Sequence, residues 1–127
     1  MTILFVDPRI SRYHLAVFDL SVGSKSTADN LQTVALPMVP LARCRLRYDK
    51  FKIPLRETQM CAGIEGRDTC KGDSGAPLML FNTQRGAFEI VGVTSIGSTA
   101  CGSGLPGVYT KVDSYIDWIN EVVDATN

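Results

Sequence analysis

Four cysteines set the tightest bounds on what this chain can fold into. Cys44, Cys61, Cys70 and Cys101 are separated by wide, unequal gaps, and the chain has a single histidine, His14. A zinc site would show tight cysteine pairs, often joined by histidines, and a dithiol redox centre would show Cys-x-x-Cys. Neither spacing occurs, so no metal and no other cofactor is expected. Two structural disulfides are a better reading than four free thiols, and disulfides persist in oxidising compartments outside the cytosol. The opening Met1-Thr2-Ile3-Leu4-Phe5-Val6 runs only four consecutive apolar residues before Asp7-Pro8. That is too short for the core of an export signal. An extracellular location is therefore expected from the cysteines alone, and a segment upstream of Met1 would reconcile them with this N-terminus.

At 127 residues the chain can bury one core but not two. Its 13 Lys and Arg balance its 13 Asp and Glu, which leaves no bulk electrostatic case for nucleic acid or an anionic membrane as partner. No apolar run approaches the length needed to cross a bilayer.

Short apolar runs broken by turn residues point to an all-β fold. Residues 21–30 are small and polar and read as a surface loop. Residues 31–39 read as a strand closed by Pro40, and 41–48, which mix basic and apolar side chains, as a short helix. Residues 61–75 carry glycines with Asp, Thr and Ser, which is loop chemistry. Strands are expected at 77–81, 88–96 and 108–112, the first two joined by a hairpin connection that contains Gly86. After Asp113 and Ser114, expected helix caps, Ile116, Ile119, Val122 and Val123 recur at helical spacing. The spacing predicts a terminal helix packed back on the strands, with Trp118 and Tyr109 in the core.

The chemistry is concentrated in Asp68-Thr69-Cys70-Lys71-Gly72-Asp73-Ser74-Gly75-Ala76-Pro77. A serine hydroxyl is a poor nucleophile until a base takes its proton and donors stabilise the resulting oxyanion. Glycines around Ser74 let the backbone turn tightly and approach a substrate, and the N–H groups of Gly72 and Ser74 can converge on one point. By residue type alone, Gly72-Asp73-Ser74-Gly75 is equally a plain turn.

This segment resembles the active-serine signature of the chymotrypsin/trypsin (peptidase S1) family. The resemblance extends in family order through Met60-Cys61-Ala62-Gly63, Ile90-Val91-Gly92-Val93-Thr94-Ser95, Pro106-Gly107-Val108-Tyr109-Thr110-Lys111-Val112 and Ile116-Asp117-Trp118-Ile119. It implies the six-stranded antiparallel Greek-key barrel that forms the C-terminal half of that fold, with a C-terminal α-helix. Residues 31–127 would form the barrel and residues 1–30 a divergent N-terminal segment. Ser74 would be the acylated nucleophile, with Gly72 and Ser74 supplying the oxyanion-hole donors. Asp73 would pair with the N-terminus created by zymogen activation. Asp68 would sit at the base of the specificity pocket and favour substrate Arg or Lys. Gly97 and Gly107 would leave room in the pocket wall, and Ser95 to Gly97 would pair with substrate backbone. The implied bridges are Cys44–Cys61 and Cys70–Cys101. Residues 36–44, with the run after Ser95, look most like arthropod clip-domain proteases.

Several positions depart from the family pattern. The triad histidine and aspartate belong to an N-terminal barrel, and Arg12-Tyr13-His14-Leu15-Ala16 does not match the histidine motif. His14 is not expected to be the base, and Asp7, Asp19 and Asp29 have no supporting motif. Ala76 replaces a usual glycine and Ile96 a usual aromatic, changes expected to tune the pocket. The resemblance thus implies a secreted endopeptidase cleaving after Arg or Lys, of which this chain is an incomplete part, inactive as it stands. Protein substrates and protein inhibitors are its expected partners. The alternative is a non-catalytic homologue that keeps the fold and binds partners; intact Gly72-Asp73-Ser74-Gly75 favours the enzyme. An α/β-hydrolase elbow is excluded, because Ala76 replaces its last glycine and Pro77 opens a strand where a helix should follow.

Overall fold

The computed structural model describes residues 2–6, 32–63, 74–97 and 104–127, with the backbone alone for 2–6 and 32–34. The elements in chain order are β1 (Thr2–Val6), β2 (Gln32–Ala35), β3 (Met38–Val39), α1 (Leu41–Asp49), β4 (Gln59–Ala62), β5 (Pro77–Asn82), β6 (Ala87–Ile96) and β7 (Gly107–Lys111). A 3₁₀ turn, Val112–Tyr115, then leads into α2 (Ile116–Thr126).

All the described strands join one sheet in the order β2-β1-β5-β6-β7-β4-β3. The run β5-β6-β7-β4-β3 is antiparallel throughout, as a partial trypsin-like barrel requires. β1 was not anticipated as a strand. It runs parallel to both β2 and β5, with Thr2 opposite Gln32 and Leu4 opposite Leu78. The strand expected over 31–39 is interrupted at Leu36 and Pro37, which separate β2 from β3. Proline has no N–H to give a ladder, while the Pro37 carbonyl accepts from Gly63 N–H at 2.9 Å. The two ends of the sheet order therefore belong to one short stretch of chain, which gives the sheet its barrel character.

Both faces of the β4–β7 pair are covered, because successive side chains point to opposite sides. Ala62 and Tyr109 pack with Leu36 and Leu78 in one buried cluster, supported by Met38, Met60 and Val91. Cys61 and Val108 face the other way and pack with Cys44, Tyr48 and Leu55. Cys44 and Tyr48 lie one helical turn apart and form the inward face of α1. The Cys44–Cys61 disulfide, with Cα atoms 6.4 Å apart, ties that helix to β4. Cys61 and Ala62 are strand residues, so the loop read from Cys61 begins after them. The hairpin between β5 and β6 forms as expected. Asn82 Oδ1 accepts from the N–H groups of Gln84 and Arg85 at 3.0 and 3.1 Å, and Gly86 takes φ +63°.

The terminal helix forms where its period predicted, but it is not packed as expected. None of its residues is buried, and Trp118, read as core, is 61% exposed. Helical spacing creates an apolar stripe without determining what covers it. Asp113 and Ser114 do not cap it either. They lie in the 3₁₀ turn, and Tyr115 occupies the N-cap without a side-chain hydrogen bond. Tyr109, by contrast, is fully buried as expected.

Candidate active site

Antiparallel pairing brings the start of β5, the end of β6 and the start of β7 to one rim of the sheet. Ser74 lies just before β5, in an exposed turn. Gly75 follows at φ +85°, and a Cβ placed there would meet nothing within 4 Å. Backbone sign, not lack of space, is what calls for glycine at that position.

Among the described residues, the turn is fastened to β6 at Thr94. Gly75 N–H donates to the Thr94 carbonyl at 3.0 Å, and Thr94 N–H donates to the Ala76 carbonyl at 3.0 Å. The Thr94 hydroxyl donates to the same Ala76 carbonyl, also at 3.0 Å, in a buried setting. Ala76 and Thr94 are both buried, so the two bonds between them form away from competing water. Sequence reasoning did not single out Thr94. Its signal was its place in Ile90-Val91-Gly92-Val93-Thr94-Ser95, where only a cross-strand bond reveals its use.

Ser95 sits next to Thr94 and is exposed. The β6–β7 register places Thr94 opposite Tyr109 and Ile96 opposite Val108, which leaves Ser95 as the extra residue of a bulge. The last β5–β6 ladder pair is Pro77 with Val93, so β6 runs past the end of β5. Gly97 follows β6 and is exposed, while Gly107 opens β7 opposite Ala62 and is buried.

Helix α1 braces this rim from below. Arg47 Nη1 donates to the Gly104 carbonyl at 2.7 Å, and the Tyr48 hydroxyl donates to the Pro106 carbonyl. Consecutive side chains of one helix thus hold the segment that enters β7 at Gly107. Neither was identified from sequence, because the bonds span 57 and 58 positions.

Asp68, Gly72, Asp73, Cys70, Cys101 and His14 lie outside the described residues, as do Asp7, Asp19 and Asp29. Of the expected site residues, the structure therefore places Ser74, Ser95, Gly97 and Gly107, together with the Cys44–Cys61 bridge.

Comparison with known proteins decides the family: the trypsin profile matches residues 18–119. The chain belongs to the trypsin family of serine proteases. Among trypsin-family relatives, CLIP domain-containing serine protease B4 of Anopheles gambiae is 48% identical over 104 residues, covering 78% of this chain and 28% of that protein. The Spaetzle-processing enzyme of Drosophila melanogaster is 39% identical over 117 residues, covering 84% of this chain and 29% of that protein. The proclotting enzyme of Tachypleus tridentatus is 42% identical over 93 residues, with 72% and 24% covered. The chain thus spans under a third of the length of these relatives.

Proposed function

We propose that the chain is the serine-bearing C-terminal barrel of a secreted, trypsin-like endopeptidase that cleaves after Arg or Lys. The observation that carries this reading is the exposed Ser74 turn, bonded through Gly75 and Ala76 to Thr94, beside a stretch of β6 that extends past β5. Residues 31–127 make the catalytic barrel and 1–30 a divergent segment, although β1 within it fills a place in the sheet.

In this mechanism Ser74 Oγ attacks the scissile carbonyl carbon and gives its proton to a base. The resulting oxyanion accepts hydrogen bonds from the N–H groups of Gly72 and Ser74. Collapse expels the amine, which takes up the proton, and leaves an acyl ester on Ser74. Water then hydrolyses the ester and restores the hydroxyl. Ser95 to Gly97 would align the substrate backbone along the edge of β6. Gly97 and Gly107 would wall a pocket with Asp68 at its base, where a carboxylate pairs with a substrate guanidinium or ammonium. The Cys70–Cys101 bridge would hold the serine loop to the pocket wall, and Asp73 would answer an activation-generated N-terminus. The base and its orienting acid are assigned to no residue of this chain, so the chain alone would not hydrolyse peptides. Protein substrates and inhibitors are the partners this reading implies.

The test begins with the native transcript, sequenced to its 5′ end and expressed as the whole product. After activation, that product should hydrolyse Arg and Lys peptide substrates. Ser74→Ala should abolish the hydrolysis, and Asp68→Ser should erase the basic preference. Full activity in the Ser74→Ala protein would overturn the mechanism. A correctly folded product with no hydrolysis would favour the binding homologue instead.

A further inference from the structure

Zero net charge conceals a concentrated basic surface. Six of the 13 cationic side chains, Arg43, Arg45, Arg47, Lys50, Lys52 and Arg56, fall within residues 41–57, opposed there only by Asp49 and Glu57. That stretch carries a net charge of +4, balanced by the rest of the chain.

Helix α1 determines which way these charges face. With Cys44 and Tyr48 turned into the core, Arg43, Leu46, Arg47 and Lys50 form the outward stripe, at the three- and four-residue spacings that make neighbours on a helix. Phe51 and Lys52 continue it in the turn that follows, where Lys52 takes φ +56°. Leu46 is 74% exposed and Phe51 52% exposed, so two large apolar side chains stand among the cations. Arg45 is engaged by Glu57 Oε1 at 3.0 Å and by the Leu55 carbonyl at 3.1 Å, and Arg47 by the Gly104 carbonyl. Arg43, Lys50, Lys52 and Arg56 make no ion pair among the described residues, and Lys50 Nζ lies 5.2 Å from the centre of the Phe51 ring.

We propose that this face docks an acidic polypeptide segment that also carries aromatic or aliphatic side chains. Charge complementarity selects an acidic partner. Leu46 and Phe51 select a polypeptide over a sulfated polysaccharide or a nucleic acid backbone, which would leave both uncovered. A bilayer is the poorer occupant, because the apolar face of α1 points inward at Cys44 and Tyr48 and cannot insert. The last turn of the same helix holds the entry to β7 through Arg47 and Tyr48, so a segment bound here is registered against the Ser74 rim. That the docked segment belongs to a substrate rests on the peptidase reading; the docking itself does not.

The experiment uses the full chain carrying Ser74→Ala, so that binding is read apart from the Ser74 hydroxyl and any catalysis. The probe is a fluorescein-labelled peptide of two Glu-Glu-Phe-Asp-Glu-Leu repeats, followed by fluorescence anisotropy. Binding should weaken at least tenfold in Arg43→Gln/Lys50→Gln/Lys52→Asn. It should weaken severalfold in Leu46→Ser/Phe51→Ser, and again when salt is raised from about 0.1 M to about 1 M, which shortens the screening length from about 10 Å to about 3 Å. All the substituted side chains are exposed, and far-UV circular dichroism checks that each variant keeps the wild-type fold. Single Arg43→Gln and Leu46→Ser variants, each expected to weaken binding, serve if a multiple variant does not. Undiminished binding in the cation variants would overturn the proposal. So would equal binding of a heparin-derived oligosaccharide with no effect of the Leu46 and Phe51 changes, since the surface would then select charge alone.

Discussion

Replacing both members of the Cys44–Cys61 bridge by alanine removes a covalent constraint and two buried sulfur atoms together. The partners lie 17 positions apart. Closing a loop of that size removes about 10 cal/mol/K of entropy from the unfolded chain, about 3 kcal/mol at 25 °C. Both cysteines are fully buried among Tyr48, Leu55 and Val108. Losing each sulfur resembles losing one buried methylene group, about 0.5–1.5 kcal/mol apiece. The expected loss for Cys44→Ala/Cys61→Ala is therefore about 4–6 kcal/mol, comparable to the whole stability of a marginal domain. At an m-value of about 2 kcal/mol/M the urea midpoint should fall by about 2–3 M. Far-UV circular dichroism is the suitable probe, because the single tryptophan, Trp118, is mostly exposed and reports poorly on the core. A midpoint shift below about 0.5 M would refute the reasoning, since it leaves room for neither contribution.

Two further substitutions test the packing that supports the site. In Gly92→Ala the new Cβ would lie 3.2 Å from Met60 Sδ, 3.2 Å from Tyr109 Cβ and 3.3 Å from Leu78 Cβ. The sulfur can move but the two Cβ atoms are held by flanking strands, so a destabilisation of about 1–3 kcal/mol is expected in urea unfolding; an unchanged midpoint would show that the strands yield freely. Tyr48→Phe keeps the buried ring but removes the donor to the Pro106 carbonyl. It should cost about 1–3 kcal/mol and speed amide exchange at Leu105 and Gly107, whereas wild-type exchange there would show that α1 does not brace the entry to β7.

Strand positions were legible because short apolar runs ended at turn residues. The expected strands at 77–81, 88–96 and 108–112 correspond to β5, β6 and β7 within one residue at every boundary. The Asn82–Gly86 hairpin was legible for the same reason, since Asx side chains and glycine favour turns whatever surrounds them. Pro37 held a signal that went unused: a residue without an N–H in the middle of an apolar run marks the break between β2 and β3. The opening Ile3-Leu4-Phe5-Val6 is too short for the core of an export signal, and nothing local marks it as a strand. Its role as a parallel strand depends on β2 and β5, which begin 30 and 75 positions after Thr2.

For the site, the residue types around Ser74 announced a turn able to carry a nucleophile, and the family resemblance named the candidates. What the sequence alone determined is local in origin. Turn geometry, helical or strand period and the basic run of 41–57 follow from each residue's own sterics and charge and those of its near neighbours. Tertiary structure alone decided which strands adjoin, that Thr94 anchors the Ser74 turn, that Ser95 stands out on a bulge, and that Trp118 remains exposed. It also turned Cys44 and Tyr48 inward, and so turned Arg43, Leu46 and Lys50 out. These outcomes depend on contacts such as Gly75 with Thr94 and Arg47 with Gly104. Their energy exists only once distant segments meet, and no local period encodes it.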